Sequence, residues 1–464
     1  MYRFLILLIC LGGAVTAHAQ SSLTYPEVEA TTYRLYQGEQ WDSLVLVGES
    51  ALEAGFDFYY LYLRLGIAAF WEEEYLLAQR YLRAALDKNQ GSDIARDYLY
   101  GTYLRLGQYG PAAVLYKRSG EALQALYPKP GRRPLDYFHL EVGLKPSSNP
   151  ELAGTMQYAQ VGLGHRLGGR VQLYQAYSYM TQQGSWGNFT QHQYYLGGSV
   201  YLGKGWSFMP AGQYIGLEGA LSGSEVVSVS ETTNRINLPP PMPRTRYDTL
   251  RLTLSQTATG NFSDQGGIAY LGLERQWGRW QVQAYGSAYL NRHQEAGVEA
   301  VAYLWETISH NVPGPDFYHS RDSASYHVLD QDSSYWQAQG GLSLTFTPRT
   351  RRDQLSLGLD LHLPWREGKA RPSVSPRISW QASPRLRLLG SYYYGQVAQV
   401  IEQQGLILQN TTDVMNHRGL IMGQLSITPQ VRASAIYMLE QRTAELSGQP
   451  YFLHGLFTGL TFIL

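Results

Sequence analysis

The sequence predicts a two-domain protein of the α plus all-β class, in which a short helical repeat array precedes a membrane-spanning antiparallel β-barrel of about fourteen strands. Three observations support this prediction. Side chains of similar type recur at a step of 34 residues within the first 127 residues. From Asp136 onward, apolar and polar side chains alternate with the period of an extended strand. The connections between these segments alternate between short and long, as the hairpins of a barrel do.

The N-terminus has the pattern of an export signal. Arg3 precedes an apolar run over 4–15 and the small-residue site Ala17-His18-Ala19, so we expect a signal peptide over 1–19. The single cysteine, Cys10, lies inside it, and the mature chain is therefore expected to have neither a disulfide nor a thiol nucleophile. After residue 20, no apolar run approaches the roughly 18 residues of a transmembrane helix.

The overall composition favours a β-rich protein and gives no reason to expect a polyanionic partner. The 37 basic and 37 acidic side chains cancel, so nothing favours binding to nucleic acid. Tyrosine (37 residues) and glycine (48 residues) are abundant, which is typical of strands with aromatic belts and many turns. The hydrophobic fraction of 44% is ordinary for a soluble protein, but a barrel needs an apolar surface only on its outer face.

The region 20–127 contains an internal repeat. Four sets of positions keep the 34-residue step, namely Trp41, Tyr75 and Tyr109; Leu44, Ala78 and Ala112; Gly48, Leu82 and Tyr116; and Ala51, Ala85 and Ser119. This step predicts three helix pairs near 25–58, 59–92 and 93–126. Three units are about the minimum for a stack that buries its own core.

These repeats resemble tetratricopeptide (TPR) repeats, in which small residues stand where the two helices of a pair touch. The matching positions are Tyr62, Leu65, Gly66, Ala69, Tyr75, Ala78, Leu82 and Ala85 in the second copy and Leu99, Tyr103, Tyr109, Ala112 and Tyr116 in the third. The first copy has Gly48 where a large residue is usual, so its second helix is expected to be frayed or differently packed. The resemblance implies a short α-solenoid with a groove for a protein or ligand, the aromatic and alanine positions forming the core between helices.

The barrel is predicted over 136–464, after a basic, proline-rich linker at 128–135. The alternating segments are 137–144, 155–165, 169–180, 190–203, 205–219, 264–276, 279–291, 334–347, 354–364, 372–380, 384–395, 417–427, 430–441 and 451–464. The segment 247–262 also alternates weakly, so sixteen strands remain an open count. A soluble all-β sandwich is the alternative interpretation of the alternation.

The pattern over Gln354 to Leu363 predicts a β-strand with one apolar and one polar face, because every second residue is leucine and the residues between are polar or glycine. The leucines are expected to meet lipid, and Asp360 and His362 the lumen. The same reasoning gives seven candidate lumen residues, which are Glu274, Asp360, His362, Arg385, Arg387, Arg432 and Glu440. They would either line a pore or pair with one another.

The connection lengths predict the orientation of the barrel. The long connections 220–263, 292–333 and 396–416 are expected as outer loops, and the short ones as periplasmic turns of a bacterial outer-membrane barrel. The helical domain then lies in the periplasm. Leu460, Phe462 and Leu464 share one face of the last strand. This resembles the C-terminal signal that the barrel-assembly machinery recognises, although that signal usually ends in phenylalanine.

The sequence nominates no catalytic constellation. It contains neither a Gly-x-Ser-x-Gly elbow nor a spacing that singles out a triad, and we predict a non-enzyme without cofactor or metal. The outer loop 292–333 collects several acids and histidines, which would form either a divalent-cation site or a solvated surface. They are His310, Asp316, His319, Asp322, His327, Asp330 and Asp332.

The whole architecture resembles outer-membrane proteins that join a periplasmic TPR module to a C-terminal barrel, best known among exopolysaccharide-export porins. The resemblance implies a conduit in the outer membrane of a Gram-negative bacterium, surrounded by lipid, with a periplasmic protein bound to the repeats. Polysaccharide export is the transport that this family implies. The alternative is an anchoring or assembly protein whose lumen is plugged and whose repeats dock a periplasmic complex.

Overall fold

The chain divides into two compact units. The computed structural model describes residues 24–127, 131–150, 152–184, 187–237, 245–312, 317–348, 355–366, 368–397, 401–402, 407–408, 413–444 and 448–464. One unit is helical and comprises the described residues up to Gln108 together with Leu115–Tyr127. The other comprises Tyr109–Val114 and the described residues from 131 onward.

The helical region contains six helices of 10 to 14 residues and a short seventh, among the residues described. They are α1 (Tyr25–Gln37), α2 (Trp41–Glu53), α3 (Tyr59–Trp71), α4 (Tyr75–Lys88), α5 (Asp93–Arg105), α6 (Tyr109–Arg118) and α7 (Glu121–Leu126). The first helix of each pair begins at Tyr25, Tyr59 and Asp93, so the 34-residue step predicted from the sequence is also the step between helix starts. None of these helices is long and apolar enough to cross a membrane.

Small residues allow the helices to approach closely. A Cβ at Gly66 would lie 2.6 Å from the Leu82 side chain, and a Cβ at Gly48 would lie 2.6 Å from that of Leu65. Glycine at 48 is therefore required by the leucine that fills the space, and α2 is a regular helix of 13 residues. The expectation that this helix is frayed is wrong.

The predicted repeat positions lie in or beside the helical core. Nine of them are buried, namely Leu65, Gly66, Ala69, Ala78, Leu82, Ala85, Leu99, Tyr103 and Ala112, while Tyr62, Tyr75, Tyr109 and Tyr116 are half-buried. Arg64 joins the first two helix pairs, since its Nη2 lies 2.7 Å from Glu29 Oε1 and its Nη1 donates to Thr32 Oγ1 at 3.0 Å. The guanidinium also lies 5.0 Å from the centre of the Tyr33 ring and 5.6 Å from that of Tyr60.

We expect Gly66→Ala to destabilise the helical region by about 1–3 kcal/mol, because the added methyl group overpacks the contact with Leu82. Gly120→Ala is the matched control, since its Cβ would meet nothing within 4 Å. The measurement is urea unfolding of the full chain in detergent, followed by circular dichroism at 222 nm. Equal midpoints for the two variants would contradict the packing described.

The second unit is an antiparallel barrel of fourteen described strands. They are β1 (Arg133–Lys145), β2 (Ala153–Arg166), β3 (Val171–Gly184), β4 (Gly187–Gly203), β5 (Trp206–Asn237), β6 (Thr245–Trp277), β7 (Trp280–Val312), β8 (Phe317–Phe346), β9 (Leu355–Arg366), β10 (Ser373–Gln381), β11 (Leu386–Val397), β12 (Val414–Ser426), β13 (Val431–Thr443) and β14 (Pro450–Ile463). The open count of fourteen or sixteen is thereby resolved as fourteen. β1 begins inside the segment that the sequence predicted to be a linker.

The barrel is closed because its last strand, β14, pairs with its first strand, β1. Each strand pairs with its sequence neighbours, and β14 returns to β1, with Leu460 opposite Leu140 and Ile463 opposite Tyr137. β8 pairs with β9 from Ala338 to Phe346. Every described strand of the wall is consequently hydrogen-bonded on both sides.

The two rims of the barrel differ. One rim, the turn rim, carries the short connections at 204–205, 278–279 and 382–385, and the chain enters β1 and leaves β14 there. At the opposite rim, the extended rim, β5, β6, β7 and β8 continue far beyond the wall, with lengths of 30 to 33 residues. β4 pairs with β5 only as far as Leu221. Beyond that point the outer parts of β5 to β8 pair only with one another and form a free-standing sheet.

This sheet corrects the prediction of long loops at 220–263 and 292–333. Most of those residues are paired strand, and the connections 238–244 and 313–316 lie outside the described residues. The alternation there is weak because many side chains, including Tyr326 and Val328, are exposed, and no core requires an apolar face. In the third predicted loop, 396–416, the described residues between the two flanking wall strands include a small two-stranded sheet, Ile401–Glu402 with Ile407–Leu408.

The outer face of the wall is apolar, as alternation predicts. On β9, Leu357, Leu359, Leu361 and Leu363 are exposed outward, while His362 is buried toward the lumen. Outward tryptophans flank the turn rim at 277 and 280. Toward the extended rim, three outward tyrosine hydroxyls hydrogen-bond to histidine Nδ1 atoms at 2.7 to 3.0 Å, in the pairs Tyr177–His192, Tyr392–His417 and Tyr437–His454. Amphipathic aromatic belts of this kind are typical of membrane interfaces.

We expect Leu359→Arg to reduce the fraction of folded barrel in lipid sharply, because an arginine on the lipid face costs about 2–4 kcal/mol near the midplane. Ser356→Arg is the control on the same strand, since Ser356 points into the lumen beside Thr347 (Oγ to Oγ1, 3.3 Å). The measurement is the heat-modifiable gel mobility of protein folded into lipid vesicles. Equal folding of both variants would show that the facing is wrong.

Candidate functional site

The candidate functional site is the lumen, whose wall is polar and tightly packed at one level. Each of the fourteen strands contributes at least one buried inward side chain to this level, which we call the lumen belt. Its members are Lys145, Gln160, Ser178, Gln191, Gln193, Tyr195, Gln213, Ile215, Ile268, Tyr270, Ser287, Tyr289, Asn291, Gln337, Gln339, His362, Ser373, Ser375, Tyr393, Met415, Arg418, Glu440, Arg442, Tyr451 and Leu453. Amide, hydroxyl and imidazole groups predominate.

The lumen is open to water on the turn-rim side of the belt. Inward residues there, such as Glu274 and Thr345, are half-exposed, and Arg387 and Arg432 are exposed. Side chains that line a water-filled channel are wetted, whereas those of the belt are buried. The side chains of the belt are therefore packed against other protein groups, and the inward side chains below it are accessible.

Glycines let inward tyrosine rings lie against the wall. A Cβ at Gly341 would stand 2.2 Å from the Tyr285 ring, and a Cβ at Gly164 would stand 2.0 Å from the Tyr137 ring. The glycine on one strand thus receives the ring from its neighbour. This arrangement fixes the position of the Tyr285 hydroxyl, which takes part in the network described next.

Ile401, from the connection between β11 and β12, lies inside the lumen. Its side chain is 1% exposed and packs in one cluster with Ile215, Ile268 and Tyr289. These three partners belong to β5, β6 and β7, which stand four to six strands from β11 around the wall. Ile401 therefore lies against a part of the wall distant from β11.

The Gln339 side chain on β8 binds the backbone of Ile401. Gln339 Oε1 accepts from the Ile401 amide at 3.1 Å, and Gln339 Nε2 donates to the Ile401 carbonyl at 2.8 Å. Nε2 also donates to the Tyr285 hydroxyl at 2.9 Å, and this hydroxyl bonds to His362 Nδ1. His362 stacks on Tyr393, with ring centres 6.1 Å apart.

A buried ionic cluster occupies the belt near the extended rim. Glu440 is fully buried, and its Oε2 lies 2.7 Å from Lys145 Nζ and 2.8 Å from Arg442 Nη2. Arg418 stands opposite Glu440 across β12 and β13, with its guanidinium 5.3 Å from the Tyr393 ring centre. One carboxylate thus faces three cations, which makes its charge essential to their burial.

The structure separates the seven predicted lumen residues into different environments. Asp360 pairs with Arg377 (Oδ2 to Nε, 2.6 Å), and Glu274 accepts from Gln281 Nε2 at 2.7 Å. His362 and Glu440 belong to the belt. Arg387 donates to Ser379 Oγ at 2.9 Å, Arg432 stands opposite Thr461, and Arg385 lies in the turn just before β11.

Sequence reasoning missed the partners that organise the site. Lys145, Arg377 and Arg442 complete the ion pairs, and Gln339 and Ile401 form the contact that crosses the lumen. The inward facing of Gln339 agrees with the sequence pattern of β8, in which it stands between Ala338 and Gly340. No sequence signal connects it with Ile401, which is 62 residues away.

The predicted cluster of acids and histidines does not form a metal site within the described residues. That part of the chain contains no group of three or more histidine, cysteine, aspartate or glutamate side chains arranged to hold a metal ion. Asp322, His327, Asp330 and Asp332 lie on β8, and Asp316 is outside the described residues. Asp332 is instead paired with Arg292, Oδ2 to Nη2, at 2.5 Å.

Comparison with known proteins identifies similar barrels but no family. No family model matches the sequence, and no curated protein matches it. Solved structures with some similarity include the monoaromatic hydrocarbon channel CymD (9% identity, TM-score 0.42, 72% of this chain and 89% of that one). Others are the P. putida toluene transporter TodX (10%, 0.40, 75% and 93%) and a FadL homologue of Pseudomonas aeruginosa (10%, 0.36, 71% and 90%). With TM-scores below 0.5, these similarities support no conclusion about what this chain transports.

We expect Glu440→Gln to destabilise the folded barrel by about 3–5 kcal/mol, because it leaves Lys145, Arg418 and Arg442 buried without their carboxylate. Asp360→Asn is the comparison, since the Asp360–Arg377 pair is partly exposed and its loss should cost about 1 kcal/mol or less. Urea unfolding in lipid vesicles measures both. A Glu440→Gln effect no larger than that of Asp360→Asn would contradict the burial described.

Proposed function

We propose that this chain is a non-enzymatic conduit in the outer membrane of a Gram-negative bacterium, with the turn rim in the periplasm. The observation that carries the proposal is the closed wall with an apolar outer face and a polar lumen. A closed ladder satisfies the backbone inside lipid, and a polar interior suits water and polar solutes. The connections 204–205, 278–279 and 382–385 and both ends of the barrel lie at the turn rim, and the longest strand extensions lie at the other, which is the arrangement of periplasmic turns.

The wall chemistry favours neutral, hydroxyl-rich solutes. Glutamine, serine and tyrosine predominate in the lumen belt, and its charged groups are engaged with one another, as Glu440 is with Lys145. Amides exchange hydrogen bonds with hydroxyl groups, and tyrosine rings offer faces for sugar rings. Polysaccharide export remains a proposal of the same class, supported by this wall.

We further propose that the helical region is a TPR-like module that docks a periplasmic protein. Support comes from three helix pairs at a 34-residue step and from glycine and alanine at their contacts. Several large side chains of the first helices of the pairs are exposed and available to a partner, namely Tyr33, Tyr60, Trp71 and Ile94. A helical repeat surface with exposed aromatic residues suits a peptide or protein ligand.

A second function, anchoring or assembly with a plugged lumen, is favoured by one observation. The lumen belt is closed in the observed state, with Ile401 inserted against the far wall. If this closure is permanent, the barrel holds the helical module at the membrane and transports nothing. The two functions therefore differ in whether the barrel can open.

If the chain is a conduit, we expect solutes to pass through the purified protein. Liposomes carrying the full chain, or the chain with residues 399–411 deleted, should take up glucose several-fold faster than liposomes carrying heat-unfolded protein. Gluconate, the anionic counterpart of similar size, should enter more slowly because the wall is built for neutral groups. The measurement is osmotic swelling, with planar-bilayer recordings in parallel. No flux and no conductance for either form would favour the plugged anchor.

A further inference from the structure

We propose that the segment at Ile401 is the gate of the conduit and that Gln339 is its latch. In the observed state the latch holds the segment across the lumen, and release of the segment opens the barrel. This inference rests on the proposed conduit function and adds its regulation. It assigns a role to a glutamine that no motif distinguished and to a connection that the sequence predicted to be an outer loop.

The segment is separate from the wall. Ile401–Glu402 pairs with Ile407–Leu408 in a two-stranded sheet of its own, and the barrel ladder does not include it. Within the described residues, the wall is therefore complete without this segment. It can leave the lumen without breaking a hydrogen bond between barrel strands.

The described contacts that hold Ile401 are hydrogen bonds and an apolar contact, all of them reversible. Gln339 binds both the amide and the carbonyl of Ile401, as the backbone of a neighbouring strand would. The Ile401 side chain fills a pocket between Ile215, Ile268 and Tyr289. A net hydrogen bond is worth about a factor of five in an equilibrium, and the apolar contact adds to it. A closure of this strength is one that a solute, a voltage or a bound partner can shift.

The latch is held in place by its own neighbours on the wall. The Tyr285 hydroxyl accepts the remaining hydrogen of Gln339 Nε2, and its ring is fixed by the space at Gly341. The Tyr285 hydroxyl in turn hydrogen-bonds to His362 Nδ1, so the path from Ile401 continues through Gln339 and Tyr285 to β9. Gln339 is thus oriented before the segment arrives, which reduces the entropy lost when the gate closes.

The geometry distinguishes a latch from ordinary wall packing. The belt glutamines Gln213 and Gln193 bond to each other on the wall, with Gln213 Nε2 donating to Gln193 Oε1 at 3.0 Å. In contrast, Gln339 Oε1 and Nε2 both bond to the backbone of Ile401, which belongs to a connection rather than to a strand of the barrel. The apolar pocket for Ile401 is likewise unusual in a lumen lined mainly by amides and hydroxyls.

The test compares the open fraction of single channels of the full chain in planar bilayers. Gln339→Ala removes both bonds to Ile401, and we expect it to raise the ratio of open to closed time about tenfold to thirtyfold. Gln381→Ala is the control, since Gln381 is a glutamine outside the lumen belt whose Nε2 donates to the Ser383 carbonyl at 2.7 Å. Its gating should remain within about twofold of wild type. Heat-modifiable gel mobility confirms that each variant is folded.

Two further variants keep the inference falsifiable if Gln339→Ala folds poorly. Ile401→Asp places a charge in the apolar pocket and should open the channel at least as strongly. Tyr285→Phe removes only the hydroxyl that orients Gln339 and should raise the open ratio by about fivefold. Folded Ile401→Asp and Gln339→Ala variants that gate like wild type would overturn the gate. Silence of every form, including the deletion of 399–411, would instead overturn the conduit itself.

Discussion

Closure of the hydrogen-bond ladder is the constraint on which the rest of this structure depends. An unpaired amide or carbonyl in lipid hydrocarbon costs several kcal/mol, so a sheet can cross a membrane only when its edges meet. Here β14 meets β1 and β8 meets β9, and all fourteen described strands are paired on both sides. The register that closes the wall also decides which side chains face lipid. The outer leucines of β9 and the inward His362 follow from the same pairing.

Much of this fold could be predicted from the sequence, because periodicity records which face each residue occupies. The 34-residue step located the starts of the helix pairs, and alternation located each of the fourteen strands of the wall. Prediction failed where no face is buried. The outer parts of β5 to β8 form a sheet with largely exposed side chains, so their sequence lacks the apolar alternation that identifies a strand of the wall.

The candidate site was less predictable, because its contacts join residues that are distant in sequence. Alternation placed Asp360 and Glu440 in the lumen, but their partners Arg377 and Lys145 depend on strand register and barrel closure. The contact between Gln339 and Ile401 depends on where a connection folds, and a single sequence contains no measure of this. A polar, charge-paired belt with one apolar pocket is consequently a property of the assembled barrel rather than of any strand.

The accessibility of the lumen to a large, membrane-impermeant maleimide tests the central claim most directly. The only native cysteine, Cys10, lies in the predicted signal peptide. A cysteine introduced into the barrel is therefore expected to be the only thiol of the mature chain that the reagent can label. Applied from the extended rim, the reagent should label Glu295→Cys, which lies outside the belt, and leave Thr345→Cys unlabelled. Adding Ile401→Asp should make Thr345→Cys reactive. Rapid labelling of Thr345→Cys in the otherwise unchanged protein would show that the lumen is open and contradict the account.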